Sequence, residues 1–189
     1  MTPYIISIVI LLVLSGIFSA TETAFTSVSK IKMKNLASDD NESAKLVLEI
    51  TENFDKFLTT ILIGNNIANI ATTSIATVMF IKLYGHYGAT ISTVVVTVLV
   101  LVFGEISPKN IAKDKAEGIS LFMAPAVKVM MFLFTPLNWV FGVWKKLVDK
   151  VFKISPEQIY TEDELKTIVE EAKTGGSIEE SQSELITNA

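Results

Sequence analysis

Three groups of oxygen-bearing residues stand inside stretches of this chain that are otherwise apolar. Ser15, Ser19 and Glu22 are spaced by four and three, which puts them on one face of a helix. Asn65, Asn66 and Asn69 fall within two turns; Asn66, Asn69 and Thr73 share one face, and Asn65 and Asn69 another. Glu105 follows sixteen uncharged residues that begin at Ala89, within the run Phe103-Gly104-Glu105-Ile106-Ser107-Pro108-Lys109. Pro108 cannot continue a helical hydrogen-bond ladder and Gly104 permits unusual backbone angles, so carbonyls near Gly104 are expected to be freed as ligands. One carboxylate, free carbonyls, serine hydroxyls and asparagine amides form an all-oxygen set. Hard cations such as Mg²⁺ take that set, whereas zinc and copper want nitrogen or sulfur.

Each group also has a plainer reading. Serines in an apolar helix bond back to their own carbonyls or permit close packing. Asparagines hydrogen-bond between helices. Glu22 suits a membrane interface, and Glu105 could pair with Lys109 four residues on. Gly64, Ala68, Thr72 and Ala76 form a small-residue stripe at i+4 spacing, the mark of a close helix–helix contact within a protomer or across a dimer.

Other chemistries are excluded. The chain has no cysteine, so disulfides, thiolate metal sites and cysteine nucleophiles are absent. His86 is the single histidine, in a loop rich in glycine and tyrosine, and receives no metal role. All sixteen basic residues are lysine, and without arginine nucleic-acid recognition is not expected. No phosphate-cradling glycine loop, Ser–His–Asp arrangement, paired catalytic carboxylates or internal repeat is present. The chain is therefore not expected to be an enzyme, and no residue is assigned a catalytic role.

The elements that must position these groups are set by hydrophobicity. Of the 189 residues, half are apolar and only 19% are charged, against roughly 25% in soluble domains. Residues 1–21, 57–81 and 83–104 contain no charge. A hydrocarbon core about 30 Å thick takes roughly 20 apolar helical residues to cross. The fold class is thus an all-α integral membrane protein, with spans at about 4–25, 57–81 and 89–104. The first run lacks a basic leader and is long for a signal peptide, although Ser19–Ala24 has the small residues of a cleavage site. Loop 29–56 carries five lysines, loop 82–88 one, and Lys109, Lys113 and Lys115 follow the third span. Lysine marks the cytoplasmic side, so the N-terminus is expected outside and the C-terminus inside the cell membrane.

Residues 118–144 are apolar but interrupted by Lys128, Pro125 and Pro136, with lysines on both flanks. Those flanks favour a helical segment at about 118–150 that lies in the interface or enters and returns, rather than a fourth span; Trp139 and Trp144 suit the headgroup level. Residues 1–154 carry fourteen lysines against eleven acids, while 155–189 carry two against nine. A membrane domain with a basic rim, 1–154, is thereby divided from an acidic aqueous segment, 155–189. There Thr161–Glu164 fits a capping box, Leu165, Ile168, Val169 and Ala172 line one apolar face, and Gly175-Gly176 separates two short helices. These helices need a partner surface, so the sequence reads as part of something longer.

Ser15-Gly-Ile-Phe-Ser19-Ala-Thr-Glu22-Thr-Ala24 resembles the first-helix signature of the CNNM/CorC family of magnesium transporters. Leu62-Ile-Gly64-Asn65-Asn66-Ile-Ala-Asn69 resembles its second-helix motif, and Phe103–Lys109 its third, of the form G-E-x-x-P-K. Thr161–Ile186 is similar to the acidic helices that follow the membrane domain. The resemblance implies a homodimer of three-span protomers, each with an interfacial helix, embedded in membrane lipids. It implies Mg²⁺ export coupled to Na⁺ entry, with dehydrated Mg²⁺ held by Ser15, Ser19, Asn66, Asn69, Gly104 and Glu105. The family's nucleotide-binding cystathionine-β-synthase domains are missing from this sequence, so nucleotide regulation is not carried over. A Mg²⁺ sensor or scaffold acting through its acidic tail stands as the rival expectation.

Overall fold

The structure, a computed structural model, describes residues 1–152; for positions 145, 146 and 149–152 it describes backbone alone. The expected acidic helices and the capping box at Thr161 lie outside the described residues. Every described element is helical: α1 (Thr2–Ser27), α2 (Lys30–Ser38), α3 (Glu42–Glu52), α4 (Phe54–Tyr84), α5 (Gly88–Leu99), α6 (Ser107–Asp114), α7 (Ala116–Leu133) and α8 (Thr135–Phe152). A 3₁₀ turn at Gly85–Tyr87 links α4 to α5, and a π-helical segment at Val100–Ile106 links α5 to α6.

The segments Thr2–Ser27, Phe54–Asp114 and Ala116–Leu133 are long and apolar enough to cross a membrane. Each buries less than a third of its apolar window within the protein, as a segment solvated by lipid does. This is a multi-pass membrane protein. Residues 54–114 hold two passes, because the chain reverses at Gly85, whose φ of +58° suits glycine. Gly88 then lies against α4 so tightly that a Cβ there would stand 2.4 Å from the Phe80 carbonyl oxygen. Thr77 and Ser92 hydroxyls, 3.3 Å apart, continue the α4–α5 contact.

The first pass is α1, with Pro3 in its opening turn, where a missing N–H costs nothing. Its 26 residues reach roughly 39 Å. It ends at Val28, whose extended backbone turns the chain into the polar pair α2–α3. Asn41 caps α3 by accepting from the Ala44 N–H at 3.1 Å, and Ala44, Val47 and Ile50 then recur on one buried face. That face meets Phe25, Phe57, Ile61, Val127 and Met131 in the larger core. The Phe25 and Phe57 rings pack 4.8 Å apart and tilted. A smaller core of Ile8, Ala76 and Val96 joins α1, α4 and α5 toward the other end.

Two expectations are modified. The helix does not stop at about Gly104, where the third span was expected to end: it continues from Gly88 to Asp114, and Pro108 falls in the first turn of α6, where it is tolerated. The 118–150 segment is two helices rather than one. α7 ends at Phe134 and α8 restarts with Pro136 in its first turn. α7 is bound to the polar pair by the Lys128–Glu49 ion pair and by Lys32–Glu117 at 2.6 Å. Compactness divides the chain at Gly142; the second unit, from Val143, contributes only the last turns of α8 to the described residues, with Val143, Trp144 and Leu147 exposed.

Candidate cation site within the spans

α1 lies between α4 on one side and the π segment with α6 on the other. Two glycines permit this. Gly16 faces the third pass, where a Cβ would meet the Phe103 carbonyl oxygen and Pro108 at 3.1 Å. Gly104 faces back, and a Cβ there would stand 2.9 Å from Ser15 Oγ. Any larger residue at 104 must push Ser15 aside.

Ser15 is the node of the three passes. Its buried Oγ donates to Asn65 Oδ1 at 2.8 Å and lies against Gly104. Ser19, one turn along α1, is fully buried and its Oγ has no partner; Asn69 Oδ1, one turn along α4 from Asn65, is likewise buried and unpartnered. A buried polar atom left unpaired costs about 1–3 kcal/mol, so two of them flanking one contact ask for a reason. α1 and α4 run antiparallel, since Ser15 meets Asn65, Phe18 meets Gly64 and Tyr4 meets Lys82. Ser19 and Asn69 therefore sit on opposite sides of the Ser15–Asn65 contact, separated by roughly 12 Å along the axis. One ion does not touch both in this conformation.

Asn66 is not brought to the cluster. It is exposed, and its amide N–H donates to the Leu62 carbonyl of its own helix at 2.9 Å. Asn65, rather than Asn66, is the asparagine of α4 that meets α1. The sequence carried a signal for it in the i+4 pairing of Asn65 with Asn69, but Asn66 shares a face with Asn69 too, so the spacing alone did not choose between them.

The third pass supplies a carboxylate and backbone oxygens. Ser107 N–H bonds five residues back to the Val102 carbonyl. In that register the next donor would be residue 108, and proline has no N–H to give Phe103. The π segment thus leaves the Phe103 carbonyl, which faces Gly16, without its backbone donor. Glu105 is half-buried and, among the described residues, takes part in no ion pair. Lys109 does not compensate it: the Lys109 ammonium lies 3.4 Å from a Glu22 carboxylate oxygen, bridging α6 to α1. The plain alternative of a Glu105–Lys109 pair is therefore not what forms.

Among the described residues, no three His, Cys, Asp or Glu side chains come together as a metal cluster. What converges is one carboxylate-bearing turn with neutral oxygens, a donor set of the hard-cation kind. The stripe Gly64, Ala68, Thr72 and Ala76 is buried within the single chain. A Cβ at Gly64 would run into the Phe18 ring at 2.5 Å, and Thr72 Oγ1 is satisfied by the Ala68 carbonyl at 2.8 Å. The stripe seats α4 on α1 and α5, and so offers no surface to a second copy.

Residues 6–182 match the family model of the cyclin M transmembrane N-terminal domain. The chain belongs to the cyclin M family. A UPF0053 protein of Haemophilus influenzae is 36% identical to it over 170 residues, covering 88% of this chain and 40% of the relative. The UPF0053 inner membrane protein YfjD of Escherichia coli is 30% identical over 165 residues, 85% of this chain and 39% of the relative. A polyamine export protein of Escherichia coli is 27% identical over 199 residues, 97% of this chain and 44% of the relative. This cyclin M chain thus spans about two fifths of the length of those relatives. It falls in a family of membrane proteins of transporter type, as the expected resemblance implied.

Proposed function

We propose that this cyclin M domain carries Mg²⁺ across the membrane, outward in exchange for Na⁺. One observation supports the ion assignment: Ser15 Oγ meets Asn65 Oδ1 and the Gly104 backbone inside the spans, and the residue after Gly104, Glu105, is a carboxylate with no ion-pair partner among the described residues. An ionised carboxylate at membrane depth is costly unless compensated, and a divalent cation is a strong compensator. Glu105 is the anionic ligand in this reading. Ser15, Asn65 and the Gly104 backbone supply neutral oxygens. Ser19 and Asn69 flank the position, as the next acceptors an ion meets when it moves along α1 and α4. A single negative charge leaves the loaded site net positive, which favours release over retention. Exchange with Na⁺ and assembly as a homodimer follow the family likeness set out above. The lysine distribution supports an external N-terminus and a cytoplasmic C-terminus.

Two relatives are named polyamine export protein, and acceptors strung along about 12 Å of helix suit a linear polycation. Polycation binding, however, wants several carboxylates, and Glu22 is already held by Lys109. Mg²⁺ is therefore preferred. The test is flux into proteoliposomes with a Na⁺ gradient, with Mg²⁺ and spermidine as separate arms. Mg²⁺ flux abolished by Glu105→Gln is the expected result. Spermidine flux without Mg²⁺ flux overturns the ion assignment, and Mg²⁺ binding without flux points to the sensor.

A further inference from the structure

We propose that the crevice between α3, the start of α4 and α7 binds the headgroup of an anionic phospholipid. The crevice has a volume of about 270 Å³. Asn53, Lys56 and Lys128 bring polar groups to it, together with Glu49, and Met131 and Phe132 supply an apolar side. Glu49 holds one flank of Lys128 in an ion pair, and the Asn53 amide donates to the Glu49 carbonyl at 3.1 Å. Lys56 is exposed and has no carboxylate partner among the described residues. The lining therefore carries a net charge of one positive, the complement of a phosphodiester.

Position selects the source of that phosphate. Lys56 is the last charged residue before the uncharged stretch 57–81, so the crevice opens where the hydrocarbon begins. On α7 beside it, Val129, Phe132 and Leu133 turn outward, with Phe132 79% exposed. Their opposite face, Ala124, Val127 and Met131, is buried in the protein core. Exposed aromatic and aliphatic side chains next to an unpaired ammonium at the membrane boundary suit an acyl chain and its acidic head together. Basic pockets between membrane helices bind such headgroups. A free phosphate would use the ammoniums and leave the apolar edge in water. This inference rests on the membrane fold and is independent of which ion the spans carry.

The test uses the full chain, purified in detergent, with native mass spectrometry reading the lipid retained from mixtures of phosphatidylcholine and phosphatidylglycerol. The wild type is expected to retain phosphatidylglycerol selectively. Lys56→Gln is expected to lower that preference about fivefold, the effect of one lysine near an anionic headgroup. Lys34→Gln removes an equal charge outside the crevice and is expected to leave the preference intact. Phe132→Ser, at an exposed position that bears no core packing, is expected to weaken phosphatidylglycerol retention, and soluble glycerophosphoglycerol is expected not to displace the lipid. Equal effects of Lys56→Gln and Lys34→Gln overturn the site as mere surface charge. Displacement by glycerophosphoglycerol at the lipid's own concentration overturns the lipid and leaves a phosphate site.

Discussion

Replacing Glu105 by Gln should raise stability without Mg²⁺ and lower it with Mg²⁺. The carboxylate stands in the third pass, half-buried, with Lys109 committed to Glu22. At the centre of a bilayer an acidic side chain costs about 2.5–3.5 kcal/mol; partial exposure reduces this, and about 1 kcal/mol is the expected relief on neutralisation. For a chain of this size that is a Tm increase of about 2–4 °C. Ligand binding adds stability of about 2.7 kcal/mol at a hundredfold excess over Kd, which is roughly 5–10 °C. The two melting curves should therefore cross: the variant melts higher in chelator, the wild type higher in saturating Mg²⁺. Thermal unfolding in detergent, followed by Trp139 and Trp144 fluorescence or by circular dichroism, reads both conditions. A variant that melts lower in chelator and still gains the full Mg²⁺ shift would falsify the assignment and make Glu105 a structural residue.

Lys109→Gln breaks the 3.4 Å pair with Glu22 but leaves the ligand set; it should cost about 0.2–1 kcal/mol and keep Mg²⁺ affinity, as calorimetric titration will show. Gly104→Ala puts a methyl 2.9 Å from Ser15 Oγ, so it should destabilise by about 1–3 kcal/mol and abolish Mg²⁺ binding; adding Ser15→Gly should restore Tm without restoring binding. Asn65→Ala should lose Mg²⁺-dependent stabilisation while Asn66→Ala keeps it, because only Asn65 reaches Ser15. Ala68→Phe overpacks a fully buried position inside the chain, so unfolding by circular dichroism, rather than crosslinked dimer yield at equal folded protein, should register the damage.

The spans were legible because hydrocarbon imposes a length and an apolarity that no soluble helix needs. The charge-free stretches 1–21, 57–81 and 83–104 correspond to α1, α4 and the pass that contains α5. What the one-dimensional pattern misplaced were junctions governed by proline. Pro108 reads as a stop, yet the π turn before it shifts the hydrogen-bond register, and the helix passes through. Pro136 reads as an interruption within one interfacial segment, yet it opens a new helix after Phe134. In both places the deciding quantity is where proline falls within a helical turn, and hydropathy does not encode that.

The site was legible to the level of the motif and no finer. Asn65 and Asn66 are adjacent, so on a helix they point about 100° apart, and only the line along which α1 crosses α4 chooses between them. That line is set at two points, by Gly64 beside the asparagines admitting Phe18 and by Ala76, about three turns further along α4, packing against Ile8 and Val96. The small-residue stripe is thus part of the site although none of it offers a charged or amide ligand: it fixes the helix pairing that brings Asn65 Oδ1 to Ser15 and turns Asn66 outward. The same reasoning explains why, of the two contacts the stripe allowed, within a protomer or across a dimer, the one inside the chain forms. In hydrocarbon, small residues gain from wherever backbones approach most closely, and here that approach is the α1–α4 contact that brings Asn65 to Ser15.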